Sequence, residues 1–292
     1  MARSKEDIRQ AVRDNYAAVA RQNTDAKKDS GGCGCGDSDS ADACCSPSDE
    51  ANGCCAPSGE DDGGCGCGAS AADMAKALGY SNDDLSSIPD GANMGLGCGN
   101  PVALASLRPG DTVLDLGAGG GLDCFIASRQ VGESGAVIGV DMTPDMVSLA
   151  RKNAADGGYT NVDFRLGEIE HLPVADNTVD VILSNCVVNL SPDKRQVYAE
   201  AYRVLKPGGR LCISDVAAIK PLTAQISSDL TMISGCIGGA ELIDDIRDML
   251  ADAGFGDIRL TRKEGSSEII NSWAPGSGFG DYVASFTMEA VK

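Results

Sequence analysis

Five of the thirteen cysteines lie where the chain carries an apolar pattern, and three of those five have unusual neighbours. Cys98 sits in the tight loop Gly-Leu-Gly-Cys-Gly-Asn-Pro. Cys186 follows Ser184-Asn185 at the end of an apolar run, and Cys236 sits in Ser-Gly-Cys-Ile-Gly-Gly. Thiolates are soft ligands, so such residues suit a thiophilic centre rather than a hard, oxygen-seeking cation. On spacing alone, a lone loop cysteine is more often inert than a ligand. Cys124 and Cys212 stand among apolar residues and read as small core side chains. The other eight cysteines crowd residues 33–67 in a near-mirror: Gly-Cys33-Gly-Cys35-Gly, Cys44-Cys45, Cys54-Cys55 and Gly-Cys65-Gly-Cys67-Gly. That stretch has none of the two-residue gaps of a zinc site, and a thiol-rich tail that captures metals is the plainer reading.

A second group of residues could hold a nucleoside. Gly117, Gly119 and Gly121 follow the apolar run Thr112–Leu116, and a glycine turn between strand and helix brings backbone N–H groups close to a ligand. Asp141 ends the next apolar run, where a carboxylate can accept both hydroxyls of a ribose. Either a dinucleotide or an adenosyl group would fit this much. A dinucleotide fingerprint wants its third glycine at position 122, where this chain has leucine.

The elements that must position these groups alternate. Strands are expected at 112–116, 136–140, 162–166, 179–184 and 210–214, with helices from about 122 to 131, after Thr143-Pro144, and from Pro192 to Leu205. Lys206–Gly209 reads as a turn, and a helix at about 240–253 and strands near Ile258 and 282–288 follow. This rhythm predicts an α/β fold, a doubly wound and mostly parallel sheet covered by helices on both faces. Ile8, Val12, Tyr16 and Val19 mark one stripe of an amphipathic helix. The chain thus divides into an N-terminal helix (1–22), a low-complexity, disordered Cys-rich segment (23–70), a connector carrying Cys98 (71–108), a nucleoside-binding core (109–215) and a C-terminal completion of the sheet (216–292).

Gly-x-Gly-x-Gly after Val-Leu-Asp-Leu resembles the first motif of class I S-adenosylmethionine methyltransferases. Gly167-Glu168-Ile169-Glu170, Asp180 and Arg203-Val-Leu-Lys-Pro-Gly-Gly209 extend the likeness over about residues 90–290. The resemblance implies a Rossmann-like sheet of seven strands with S-adenosylmethionine as methyl donor. It further implies that Asp115 lies near the methionine amino group, with Gly117, Gly119, Gly121, Asp123, Asp141, Met142, Glu168 and Ile169 as cofactor contacts. The three cysteine words, with Cys186 continuing Val-Val-Asn-Leu-Ser-Pro-Asp-Lys, resemble the thiol motifs of arsenite methyltransferases. That family likeness implies that Cys98, Cys186 and Cys236 bind As(III), and that a cysteine of the N-terminal segment, best represented here by Cys44 or Cys45, acts with them. It implies too that thiols reduce the arsenic after transfer, leaving disulfides for a dithiol reductant such as thioredoxin or glutathione-type thiols to reopen.

Direct attack by an arsenic lone pair needs no general base. The single histidine, His171, in a polar loop, fits that economy. Two other functions compete: methylation of a small organic acceptor such as a quinone, and a thiol-rich protein that buffers soft metals. With 24 basic and 43 acidic residues the net charge is −19, which opposes nucleic acid and anionic membrane partners. No leader-like or membrane-spanning apolar run is visible, so a cytoplasmic setting is expected. Asp outnumbers Glu and Arg outnumbers Lys, a composition suited to high salt.

Overall fold

The computed structural model describes residues 4–29, 70–273 and 278–292. Cys44, Cys45 and the rest of the cysteine-rich stretch from 30 to 69 lie outside the described residues. A helix α1 (Lys5–Asp29) precedes that stretch, and three short helices α2 (Ala71–Ala77), α3 (Asn82–Ser86) and α4 (Pro101–Ala105) follow it. The core then runs β1 (Thr112–Leu116), α5 (Leu122–Val131), β2 (Ala136–Asp141), α6 (Pro144–Asp156), β3 (Val162–Leu166), β4 (Val179–Asn185), α7 (Lys194–Val204) and β5 (Leu205–Ala218). Helices α8 (Ala224–Ser227), α9 (Leu230–Ser234) and α10 (Ile243–Ala253) lead to β6 (Gly256–Arg262), α11 (Ser266–Trp273) and β7 (Val283–Val291).

The seven strands form one sheet in the order β3-β2-β1-β4-β5-β7-β6. Strands β1 to β5 pair in parallel, and β7 runs antiparallel to both β5 and β6. The order reverses between β1 and β4, so a crevice opens beyond their C-terminal ends, where α/β sheets hold ligands. Alternate residues of each strand face opposite layers. Leu114, Ile138, Ile182 and Ile213 pack with Tyr198 of α7 and Leu250 of α10, whereas Val113, Val137, Leu183 and Cys212 pack with Phe125 of α5 and Val147 of α6.

Two local expectations are corrected. Lys206–Gly209 does not precede the fifth strand but lies inside it: Val179 pairs with Leu205 while Val181 pairs with Arg210, and the three surplus residues form a bulge. The helix expected from Ala240 starts at Ile243, because Leu242 is held by a bridge to Ala218.

Candidate active site

A cavity of about 470 Å³ fills the crevice and extends under α1. Its floor is the glycine turn. At Gly117, with φ of 71°, a β-carbon would run into the Val187 side chain. At Gly121, with φ of 96°, it would strike Phe125 and Phe164. Gly117 and Gly119 line the cavity, whereas Gly121 serves the packing behind it.

Asp141 is fixed by two backbone donors, Gly119 N at 3.0 Å and Thr143 N at 2.8 Å. Thr143 occupies the cap position of α6 ahead of Pro144 but makes no side-chain capping bond. Asp141, Met142 and Ile169 all line the cavity. Glu168 departs from its expected place: its carboxylate lies 3.6 Å from Arg9 and 3.4 Å from Arg13 of α1, away from the cavity lining. Its neighbour Glu170 lines the cavity instead, held by Ser191 Oγ at 2.7 Å and Arg9 at 3.3 Å. His171 is exposed, as expected of a solvated loop.

Asp115 and Asp123 face the far end of the cavity and are 3% and 6% exposed. Burial, and then the Asp123 charge, push the Asp115 carboxyl well above the usual range. Burial also pushes Asp123 up to about 6, against the hydrogen bonds it accepts from Tyr80 (2.6 Å) and Asn185 (3.3 Å). Among the described residues neither carboxylate has a cationic partner within ion-pair distance. Two buried acids facing one pocket suit a ligand that brings its own ammonium. The Cys124 thiol donates to Asp115 at 3.3 Å, so this core cysteine also steadies the acid pair.

Asn185 links this end to the cysteines. Its Nδ2 reaches Tyr80, Asp123 and the Gly99 carbonyl, while its Oδ1 accepts from Cys98 N at 3.0 Å. The Cys98 carbonyl is held from the other side by Ser285 Oγ at 3.0 Å and Lys263 Nζ at 3.3 Å. Cys98, Cys186 and Cys236, apart in sequence, enter one buried apolar cluster with Val12 of α1, and Cys124 and Cys212 belong to another. Ligand atoms of Cys98, Cys186 and Asp215 lie within 4.8 Å of one another, and Cys236 Sγ donates to the Cys186 carbonyl at 3.0 Å. Cys186 and Cys236 line the cavity, with Cys98 just behind, its thiol donating to Ser214 O at 3.3 Å.

Both cavity-lining cysteines hold left-handed backbone, with φ of 60° for Cys186 and 63° for Cys236. Cys236 ends α9: its N–H reaches Ile233 O and the N–H of Ile237 reaches Met232 O, the paired bonds of a Schellman cap. The position that glycine usually takes in this cap is a cysteine here. Such strain, about 1–2 kcal/mol per residue, is concentrated at functional sites. Hydrogen bonds with the Cys236 and Cys98 thiols, and then burial, push the Cys186 thiol well above its ordinary value, and burial raises that of Cys98.

Helix α1 forms the roof through Arg9, Val12, Tyr16 and Val19. Tyr16 OH reaches Ser234 O at 3.4 Å, next to the Cys236 loop. Sequence reasoning missed Tyr80, Asn185, Tyr16 and Asp215. Only Asn185 carried a signal, as part of the Ser-Asn-Cys word.

A methyltransferase domain family matches residues 107–254. An arsenite methyltransferase of Halobacterium salinarum is 45% identical over 297 aligned positions, covering 99% of this chain and 68% of that protein. One from Aquipseudomonas alcaligenes is 44% identical over 175 positions, 58% of this chain and 50% of that protein, so the match spans about half of its length. The crystal structure of an arsenic(III) S-adenosylmethionine methyltransferase from Chlamydomonas reinhardtii superposes with a TM-score of 0.58 at 34% identity, covering 75% of this chain and 73% of that one. With a match running through nearly all of its residues, both arms of the cavity included, this chain belongs to the S-adenosylmethionine-dependent arsenite methyltransferase family.

Proposed function

We propose that this protein transfers methyl groups from S-adenosylmethionine to As(III) held by the thiolates of Cys98, Cys186 and Cys236. The observation that carries this reading is the meeting of those three cysteines in one cluster beside the glycine turn, two of them in strained backbone. The donor, when bound, supplies an electrophilic sulfonium methyl. Asp141 would accept the ribose hydroxyls, and Asp115 and Asp123 would receive the ammonium. Protonated thiols suit capture of arsenous acid, since each S–H proton leaves with a hydroxide of the acid as water and no base is consumed. Cys186 and Cys236 would aim the arsenic lone pair along the methyl–sulfur axis, and such positioning supplies a large share of the rate. Transfer raises the formal oxidation state of arsenic. A pair of thiols then returns two electrons as a disulfide, and an external dithiol of the thioredoxin or glutathione class reopens it. The biological sense of the activity would be arsenic detoxification.

The test is incubation with arsenite, S-adenosylmethionine and thiols, followed by arsenic speciation. Methylated arsenic is expected from the wild type and from Cys124→Ser and Cys212→Ser. It should nearly vanish in Cys186→Ser and Cys236→Ser, whose donor affinity stays unchanged. Cys98→Ser, whose thiol is set back from the cavity, should be impaired less uniformly: if Cys98 mainly closes the redox cycle, a later methylation fails while the first survives. Near wild-type methylation by Cys186→Ser and Cys236→Ser would place the acceptor elsewhere.

A further inference from the structure

Asp215 stands on β5 at 1% exposure, behind the cysteines. A carboxylate oxygen lies within 4.8 Å of the sulfurs of Cys98 and Cys186. The group is held by neutral donors: Val216 N at 2.7 Å, Asn189 Nδ2 at 3.0 Å and Asn189 N at 3.3 Å. Asn189 is itself pinned, because the same Nδ2 also meets the carbonyls of Val216 and Cys236. Among the described residues Asp215 makes no ion pair. The nearby Lys194 spends its ammonium on Ser191 O at 3.1 Å and lies 3.9 Å from Glu241. The Lys194 charge is felt by Asp215 but does not pair with it. A buried carboxylate with neutral donors and no ion-pair partner is costly to keep and suited to meet a positive charge.

We infer that the Asp215 carboxylate stabilises the positive charge that arrives on arsenic during methyl transfer. The inference rests on arsenite being the acceptor. Three thiolates on As(III) make a neutral centre. In the transfer the arsenic lone pair forms the As–C bond, the C–S bond breaks, and its electron pair stays on sulfur. The donor becomes a neutral thioether and its unit positive charge moves to arsenic, now a methylarsonium. The charge therefore leaves the donor sulfur and appears among the three cysteines, where Asp215 already waits. A fixed charge that needs no reorganisation favours the transition state over the neutral ground state. Asp215 is thus a charge-stabilising residue rather than an arsenic ligand.

The test compares wild type, Asp215→Asn and Asp215→Glu. Three quantities are read: arsenite affinity and stoichiometry, S-adenosylmethionine affinity, and the single-turnover rate of the first methylation with both substrates bound. Asp215→Asn keeps size and an accepting oxygen but loses the charge. Both affinities should stay within about threefold of wild type while the single-turnover rate falls about 100-fold, a loss typical of removing one preorganised electrostatic group. Asp215→Glu should recover at least about a tenth of the wild-type rate. Transfer by Asp215→Asn within about threefold of wild type overturns the inference. So does a loss of arsenite binding as large as the loss of rate, which would make Asp215 a scaffold for the thiols. If the asparagine variant does not fold, Asp215→Glu decides alone: a rate below about a tenth of wild type counts against the charge. A wild type that binds the donor yet leaves arsenite unmethylated overturns the acceptor itself, and this inference with it.

Discussion

Replacing Cys236 by glycine should leave a more stable protein than replacing it by alanine, the reverse of the usual order for a buried site. Cys236 is 5% exposed and has a φ of 63° at the end of α9. Both substitutions remove the same thiol, so their difference isolates the backbone. Glycine relieves the left-handed strain of about 1–2 kcal/mol. It also removes a buried carbon, about 0.8 kcal/mol. The balance favours glycine by about 0.2–1.2 kcal/mol. Cys124, inside α5 and fully buried, is the control. There helix propensity costs glycine about 1 kcal/mol and the lost carbon about 0.8, so alanine should win by about 2 kcal/mol. The assay is urea unfolding of all four variants, comparing midpoints where the slope is unchanged. Arsenite binding should be lost in both Cys236 variants and retained in both Cys124 variants. If alanine is the more stable residue at Cys236 as well, the left-handed cap is wrong, and with it the argument that this cysteine is held in place at a cost.

Two further outcomes follow from the acidic side of the cavity. Asp141→Ala should weaken S-adenosylmethionine binding by about 1.5–3 kcal/mol, the range for a charged hydrogen bond, and unchanged calorimetric affinity would move the ribose site elsewhere. Lowering pH should act in opposite senses on stability and on binding. Asp123 is raised to about 6 in the fold, so between the unfolded carboxylate value of about 4 and that point the folded state holds the extra proton. The ligand-free protein therefore gains stability from this group as pH falls from 7 toward 5, and loses it as pH rises through 6. Donor affinity should drop about tenfold over the same interval, because the ammonium then meets a neutral acid. An affinity flat from pH 7 to 5 would remove Asp123 from the ammonium site.

Strands such as Thr112–Leu116 and Val162–Leu166 were legible because the first is a short, mostly apolar run ahead of a glycine turn and the second alternates apolar with charged residues. The glycine turn and Asp141 were legible because a backbone turn fixes both locally. The cysteine words pointed to loops that the fold brings together at one cluster, yet nothing local to them says that Cys186 and Cys236 adopt positive φ. That follows from Schellman bonds in one case and a strand end in the other. Short helices α8, α9 and α11 escaped because a turn or two carries little periodicity. The pairing of Glu168 with Arg9 and Arg13 was not legible, because those partners come from a helix about 155 residues away. Asp215 looked like any acid at a strand end, since what distinguishes it is two sulfurs delivered from Cys98 and Cys186.

The protonated state of Cys98 and Cys186 bears on the protein's own survival. An electrophilic methyl delivered beside free thiolates would alkylate them, since the thiolate is the reactive form of cysteine. Each such event would be irreversible and would silence the molecule. Burial raises the Cys98 thiol, and hydrogen bonds with the neighbouring thiols, then burial, raise that of Cys186. Under the proposed mechanism both sulfurs are therefore poor nucleophiles until arsenic displaces their protons. If As(III) binds these two thiols as proposed, its arrival would remove their side reaction at the moment it starts the main one.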